Sequence, residues 1–131
     1  MINIKKFEKF IKVNEGAWGH GPLDNDSASD WKWEIGDVII KKIKDKITES
    51  KKSNRLNGLY EAIGMWDFIS ENLKTQYSFF STDEVKEMNS LCLDIIEDLY
   101  EKDFANTYKD TGKVEEHLSE LNSKFSTNSN T

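Results

Sequence analysis

Three of the seven glycines and the only proline fall between Gly16 and Pro22. Glycine loses the most backbone entropy in a helix, and proline removes a donor and clashes with the preceding turn, so continuous helix is excluded there. Downstream of Pro22 the chain holds four isolated glycines and no proline. Long helices can form wherever the apolar spacing supports them.

That spacing recurs four times. Behind the glycines come Asp24, Asn25, Asp26 and Ser27, all favourable N-cap residues, and Ser27 with Asp30 resembles a capping box with Asp in place of Glu. A helix is predicted over 27–49, with Trp31, Ile35, Val38, Ile39, Ile43 and Ile47 as its buried face. Its acidic start (Asp26, Asp30, Glu34) and basic end (Lys41, Lys42, Lys44, Lys46) complement the helix dipole. Trp33 and Ile40 fall off the stripe and are expected on the surface, and Gly36 predicts a close crossing by another segment. After a turn at 51–54, Leu56, Leu59, Tyr60, Ala62, Ile63, Met65, Trp66, Phe68, Ile69 and Leu73 cover more than one face of a second helix. Such a helix is expected at the centre of a bundle, with Gly64 as a second close approach.

The loop 74–80 carries Tyr77, Phe79 and Phe80, expected to fold onto the core. Ser81 and Glu84 then form S-x-x-E, with Phe80 and Val85 where a hydrophobic staple places them. Val85, Met88, Cys92, Ile95 and Leu99 follow in a 3–4–3–4 rhythm, widened by Leu91, Ile96 and Tyr100. Cys92 on that stripe reads as a buried, inert thiol. Residues 105–112 break the pattern. A last helix is predicted over 113–124, with Val114, Leu118, Leu121 and Phe125 on one face and His117 at its edge. The small polar residues 126–131 read as a disordered tail. At the other end Phe7, Phe10 and Ile11 share a helical face and predict a short N-terminal helix. The expected fold is therefore an all-α single domain, a bundle of four main helices plus that short one.

Composition narrows the function. A chain of 131 residues suits one domain. One cysteine excludes an internal disulfide and a cysteine zinc site. The N-terminus lacks the apolar run and cleavage site of a signal peptide, and no window is apolar enough to span a membrane. The chain reads as cytoplasmic with no membrane partner. A net charge of −6 argues against general nucleic-acid binding. The charge is uneven: Lys41–Arg55 holds seven cations and two anions, and Asp83–Asp103 eight anions and two cations.

Gly16, Ala17, Trp18, Gly19, Gly21, Asn25, Asp26, Ala28, Asp30 and Trp31 carry a further signal. The stretch resembles the GAWGxG…NDxAxDW signature of a bacterial family of small uncharacterised proteins. That resemblance implies a helical domain spanning 16–125 behind an N-terminal extension, 1–15, and implies no reaction, cofactor or catalytic residue. Physically, Trp18, His20, Asp24, Asn25, Asp26, Asp30 and Trp31 form a candidate functional loop. Its first reading is an elaborate helix cap, with Trp18 folded back on Trp31 as a plug. The alternative is a metal-dependent or acid–base enzyme site centred on His20, Asp24, Asp26 and Asp30. The spacing is neither a calcium loop nor a zinc motif, and no phosphate loop or nucleophile elbow occurs, so no metal or cofactor is expected.

The favoured function is binding another protein, with Asp94, Glu97, Asp98 and Glu101 as the candidate face. By analogy, an inhibitor or immunity-type protein in phage or bacterial conflict fits the size and acidity. A structural, self-associating module is a further alternative, with Trp33 and Ile40 as its exposed patch.

Overall fold

A computed structural model describes residues 19–73 and 79–129, with the side chains of Asn128 and Ser129 excepted. Among these residues four helices form: α1 (Asp26–Lys52), α2 (Leu56–Asn72), α3 (Thr82–Glu101) and α4 (Thr111–Ser129), with a short 3-10 turn at Phe104–Thr107. α1 packs on α2, α2 on α3 and α3 on α4, and the 3-10 turn sits against α3 and α4. The all-α bundle of four main helices is thus as expected. The predicted N-terminal helix, the 1–15 extension, Trp18 and Tyr77 lie outside the described residues.

α1 starts one residue before the predicted cap. Asn25 is its N-cap, and its Oδ1 accepts from the Ala28 N–H at 2.8 Å. Ser27 and Asp30 therefore lie inside the helix, and the Ser27–Asp30 box does not form. α3 begins as its motif predicts: the Glu84 N–H donates to Ser81 Oγ (3.1 Å), and the Ser81 N–H donates to Glu84 Oε1 (3.0 Å). Phe80 is buried and Val85 packs against the core, the two positions of the staple.

The core is made by Ile40, Ile43 and Ile47 of α1, Leu59, Ala62, Ile63 and Trp66 of α2, and Met88, Cys92, Ile95, Ile96 and Leu99 of α3. Val114, Leu118 and Phe125 of α4 close it, with Phe80, Phe104 and Ala105 between helices. At its centre the Trp66 indole N–H donates to Asn89 Oδ1 at 2.8 Å, and the Trp66 ring meets Phe80 edge-on at 5.2 Å. An indole buried this deeply needs such an acceptor.

The buried face of α1 is not the predicted one. Trp31 and Val38 are each 60% exposed, Ile35 is half-buried, and Ile40, expected on the surface, is in the core. The inward line is Gly36, Ile40, Ile43, Ile47 and Ser50. Ile43 and Ile47 fit either line, so spacing alone leaves the choice open. Gly36 decides it, because the backbone carbonyl of Phe79 lies where a side chain there would stand. The chain entering α3 crosses α1 at the one position able to admit it, which is the close crossing that Gly36 predicts.

Four other expectations change. α2 is buried on one side only, with Met65 and Phe68 more than half exposed, and Gly64 faces open space. The close approach in α2 is instead at Gly58, against the hydroxyl of buried Ser50. α4 runs past 124 to Ser129, so 126–129 carry helix where composition suggests a disordered tail. Tyr100, counted with the α3 stripe, is exposed.

Ion pairs lace the bundle. Lys46 meets Glu61 (2.8 Å) between α1 and α2, Lys44 meets Glu87 (2.8 Å) between α1 and α3, and Lys124 meets Asp67 (2.7 Å) and Glu71 (3.3 Å) between α4 and α2. Exposed pairs contribute about 0–1 kcal/mol each, so they align the helices more than they hold them.

Candidate functional site

The glycine-rich loop resolves into a turn built around one carboxylate. Asp24 Oδ2 accepts from the Gly21 N–H at 2.9 Å, and the Asp24 N–H donates to the Gly21 carbonyl at 3.1 Å. A methyl group at Gly19 or Gly21 would run into that carboxylate, which is why both positions are glycine. Asp24 thus holds the turn, and Asn25 next to it caps α1.

His20, Asp26, Asp30 and Trp31 are exposed. Among the described residues no three His, Cys, Asp or Glu side chains are grouped so as to hold a metal ion. The loop residues singled out by type are therefore not gathered around one point. Trp31 points away from the core, and the plug against Trp18 lies outside the described residues. Cys92 is fully buried, and that burial, with the charge of Asp67 second, pushes its thiol up to about 12. A thiol so placed is no nucleophile near neutral pH.

The acidic face is different, because the fold does collect it. Asp94, Glu97, Asp98 and Glu101 recur at three- and four-residue steps and line one wall of a groove of about 560 Å³. The opposite wall is the end of α1 and its turn, Ser50, Lys51 and Asn54. Leu56 and Leu59 of α2 and Ile95 of α3 lie beneath. The turn itself is fixed by Asn54 in the left-handed region (φ 54°) and by the Arg55 N–H donating to the Ser50 carbonyl at 2.8 Å.

Within this groove Asp98 pairs with Lys102 at 3.1 Å. Asp94, Glu97 and Glu101 make no ion pair among the described residues. A second groove, about 590 Å³, lies on the other side of the same turn and includes Lys46, Glu49, Arg55, Glu61 and Phe104. Its two cations and two anions balance, and one pair is closed: Lys46 hydrogen-bonds Glu61 and holds that carboxyl below its ordinary value. The first groove keeps net negative charge, four acids against Lys51 and Lys102, beside half-buried Leu56. The second does not.

Sequence reading finds the four acids but not their opposite wall. Lys51, Ser50 and Asn54 face them only because α1 and α3 are neighbours, and no local signal carries that. The Lys44–Glu87 pair is the same kind of non-local fact. It also shows that part of the basic run is spent inside the molecule on part of the acidic one.

Compared with protein-family models, with curated proteins and with solved structures, the chain matches none.

Proposed function

We propose that this protein acts by binding another protein, and that the groove between the end of α3 and the α1–α2 turn receives a basic, amphipathic segment of that partner. The observation that carries the reading is the set of three carboxylates, Asp94, Glu97 and Glu101, which make no ion pair among the described residues and line a wall above half-buried Leu56. Lysine or arginine side chains on a partner would find the wall, and an apolar side chain between them would find Leu56. Charge of one sign along a cleft raises the association rate and rejects acidic competitors more than it adds raw affinity. An inhibitor or immunity-type role is the narrower form of this reading, supported by the chain's small size and its net charge of −6.

The test leaves Asp98 in place, because it pairs with Lys102, and changes Asp94→Asn, Glu97→Gln and Glu101→Gln together. Immobilised wild-type and triple-variant protein are used to recover partners from the source cell at low and at high salt. The expected result is a protein retained by wild type at low salt, lost at high salt, and lost from the triple variant at either. Equal recovery by both, with an unchanged unfolding midpoint, overturns the proposal.

A further inference from the structure

The outer side of α1 and α2 carries a feature that the groove does not use. At 100° per residue, Trp31, Ile35, Val38 and Lys42 fall within a narrow arc of α1, and Glu61, Met65, Phe68 and Asn72 within one of α2. Trp31 and Val38 are 60% exposed, Met65 53% and Phe68 65%. The two arcs adjoin. Lys46, next on the α1 arc, pairs with Glu61 on the α2 arc at 2.8 Å. That pair, with Gly58 against Ser50, sets the antiparallel register and brings Phe68 level with Ile39–Ile40, one position from Val38, and Met65 level with Lys42–Ile43. Ile39 of α1 and Ile69 of α2, both half-buried against the core, lie between the arcs as a floor. Four large apolar side chains, each more than half exposed on one continuous face, exceed the single scattered residues normal on a monomer's surface.

The charges around this face say what covers it. Asp30 and Glu34 edge its start on α1, and Lys42 its end, beyond which Lys46 is held by Glu61. We infer that two copies of this chain pair face to face through the outer side of α1 and α2, with α1 antiparallel to the partner subunit's α1. A two-fold axis lying in the interface, across the helices near Val38, stacks α1 on α1 and α2 on α2. Val38 and Phe68 meet their own copies, and Glu34 comes to Lys42 of the partner subunit. Running the helices parallel instead would set acid against acid. An isologous contact requires a patch complementary to itself under a two-fold rotation, and an apolar centre with opposite charges at its two ends meets that requirement. The pairing leaves the acidic groove open, since the groove lies at the α3 side of α1.

The experiment is sedimentation equilibrium of the full chain across a concentration series, with three variants. Wild type is expected to move from 15.2 kDa toward twice that mass as concentration rises. Val38→Asp with Phe68→Ser should weaken the dimer by about tenfold or more, the effect of losing central apolar contacts, with its dilute unfolding midpoint unchanged. Glu34→Lys should weaken it too, and Glu34→Lys combined with Lys42→Glu should restore it, because the swap preserves the pairing only in the antiparallel arrangement. A single chain mass at every concentration overturns the inference. So does a dimer indifferent to the Val38 and Phe68 changes, or one that the charge swap does not rescue. If wild type stays at one chain mass while the Val38 and Phe68 changes lower its unfolding midpoint, the face is covered within the chain, by the N-terminal segment ahead of Gly19, and the inference also fails.

Discussion

α3 and α1 are both long helices with apolar residues every three or four positions, and they use them differently. In α3 the rhythm Met88, Cys92, Ile95 and Leu99 runs down one buried line, widened by Ile96. α1 has two lines on opposite sides, Gly36, Ile40, Ile43 and Ile47 facing in and Trp31, Ile35 and Val38 facing out. The neighbours differ. α3 lies between α2 and α4 with the 3-10 turn at its end, whereas α1 packs on α2 and the Phe79–Phe80 crossing and leaves its far side open. An apolar period thus shows that a helix has something to bury. Which line is buried depends on where a neighbour can come close.

The comparison breaks most visibly at matched deletions. Met88→Ala in α3 should lose about 3 kcal/mol, the cost of a cavity at a fully buried site. Val38→Ala in α1, at concentrations where the chain is monomeric, should stay within about 0.5 kcal/mol. Urea unfolding of the two variants measures both. Equal losses would mean that the outward line of α1 is packed as firmly as the stripe of α3.

A smaller effect isolates what selects the inward line. Replacing a helical glycine by alanine gains about 1 kcal/mol of propensity where there is room. Gly64 has that room, so Gly64→Ala should raise the unfolding midpoint and add roughly 0.5–1 kcal/mol. Gly36→Ala meets the same propensity gain, but the added methyl strikes the Phe79 carbonyl, and a net loss of about 1–2 kcal/mol is expected. Stabilisation at both positions would remove the crossing as the reason for the face that α1 buries.

What could be read from residues alone follows the range of the interaction. The start of α3 was legible to the residue, because Phe80, Ser81, Glu84 and Val85 act within one turn of each other. The α1 cap was legible as a cluster but not to the residue, since Asp24, Asn25, Asp26 and Ser27 are all able to cap and only the turn on Gly21 chooses Asn25. The far end of α4 misled because its polar residues resemble a tail, although Phe125 anchors that last stretch in the core and Thr127 hydrogen-bonds back to Ser123. In the candidate site, the acids of α3 share an edge by period, whereas their facing wall and the Trp66–Asn89 bond join residues far apart in sequence. Asp24 reads as chemistry by residue type. Its bond to a backbone three residues back is what gives it a structural task.

The finest form of the comparison is at the two helix starts, which are capped by groups of different chemistry. Asn25 holds α1 with an amide that does not titrate, and Asn25→Ala should cost about 1 kcal/mol at pH 7 and at pH 3 alike. α3 is held by a carboxylate. The Ser81 backbone N–H is the main reason Glu84 lies below its ordinary value of 4.5, while a hydrogen bond from the side chain of Asp37 to Glu84 raises Asp37. A depressed carboxylate contributes stability that is fully present above the unfolded value and lost as pH falls through the folded one. Glu84→Ala should therefore cost most near pH 7, and its cost should shrink below about pH 4.5 as wild type itself loses the charged acceptor. Asp37 opposes this slightly, because its raised value favours the folded state on acidification, so the change with pH should be shallow. Urea midpoints of wild type, Asn25→Ala and Glu84→Ala at pH 3 and pH 7 separate the two caps. A cost for Glu84→Ala that does not shrink at pH 3 would show that the box is held by its backbone geometry and the Ser81 hydroxyl, with the carboxylate charge idle.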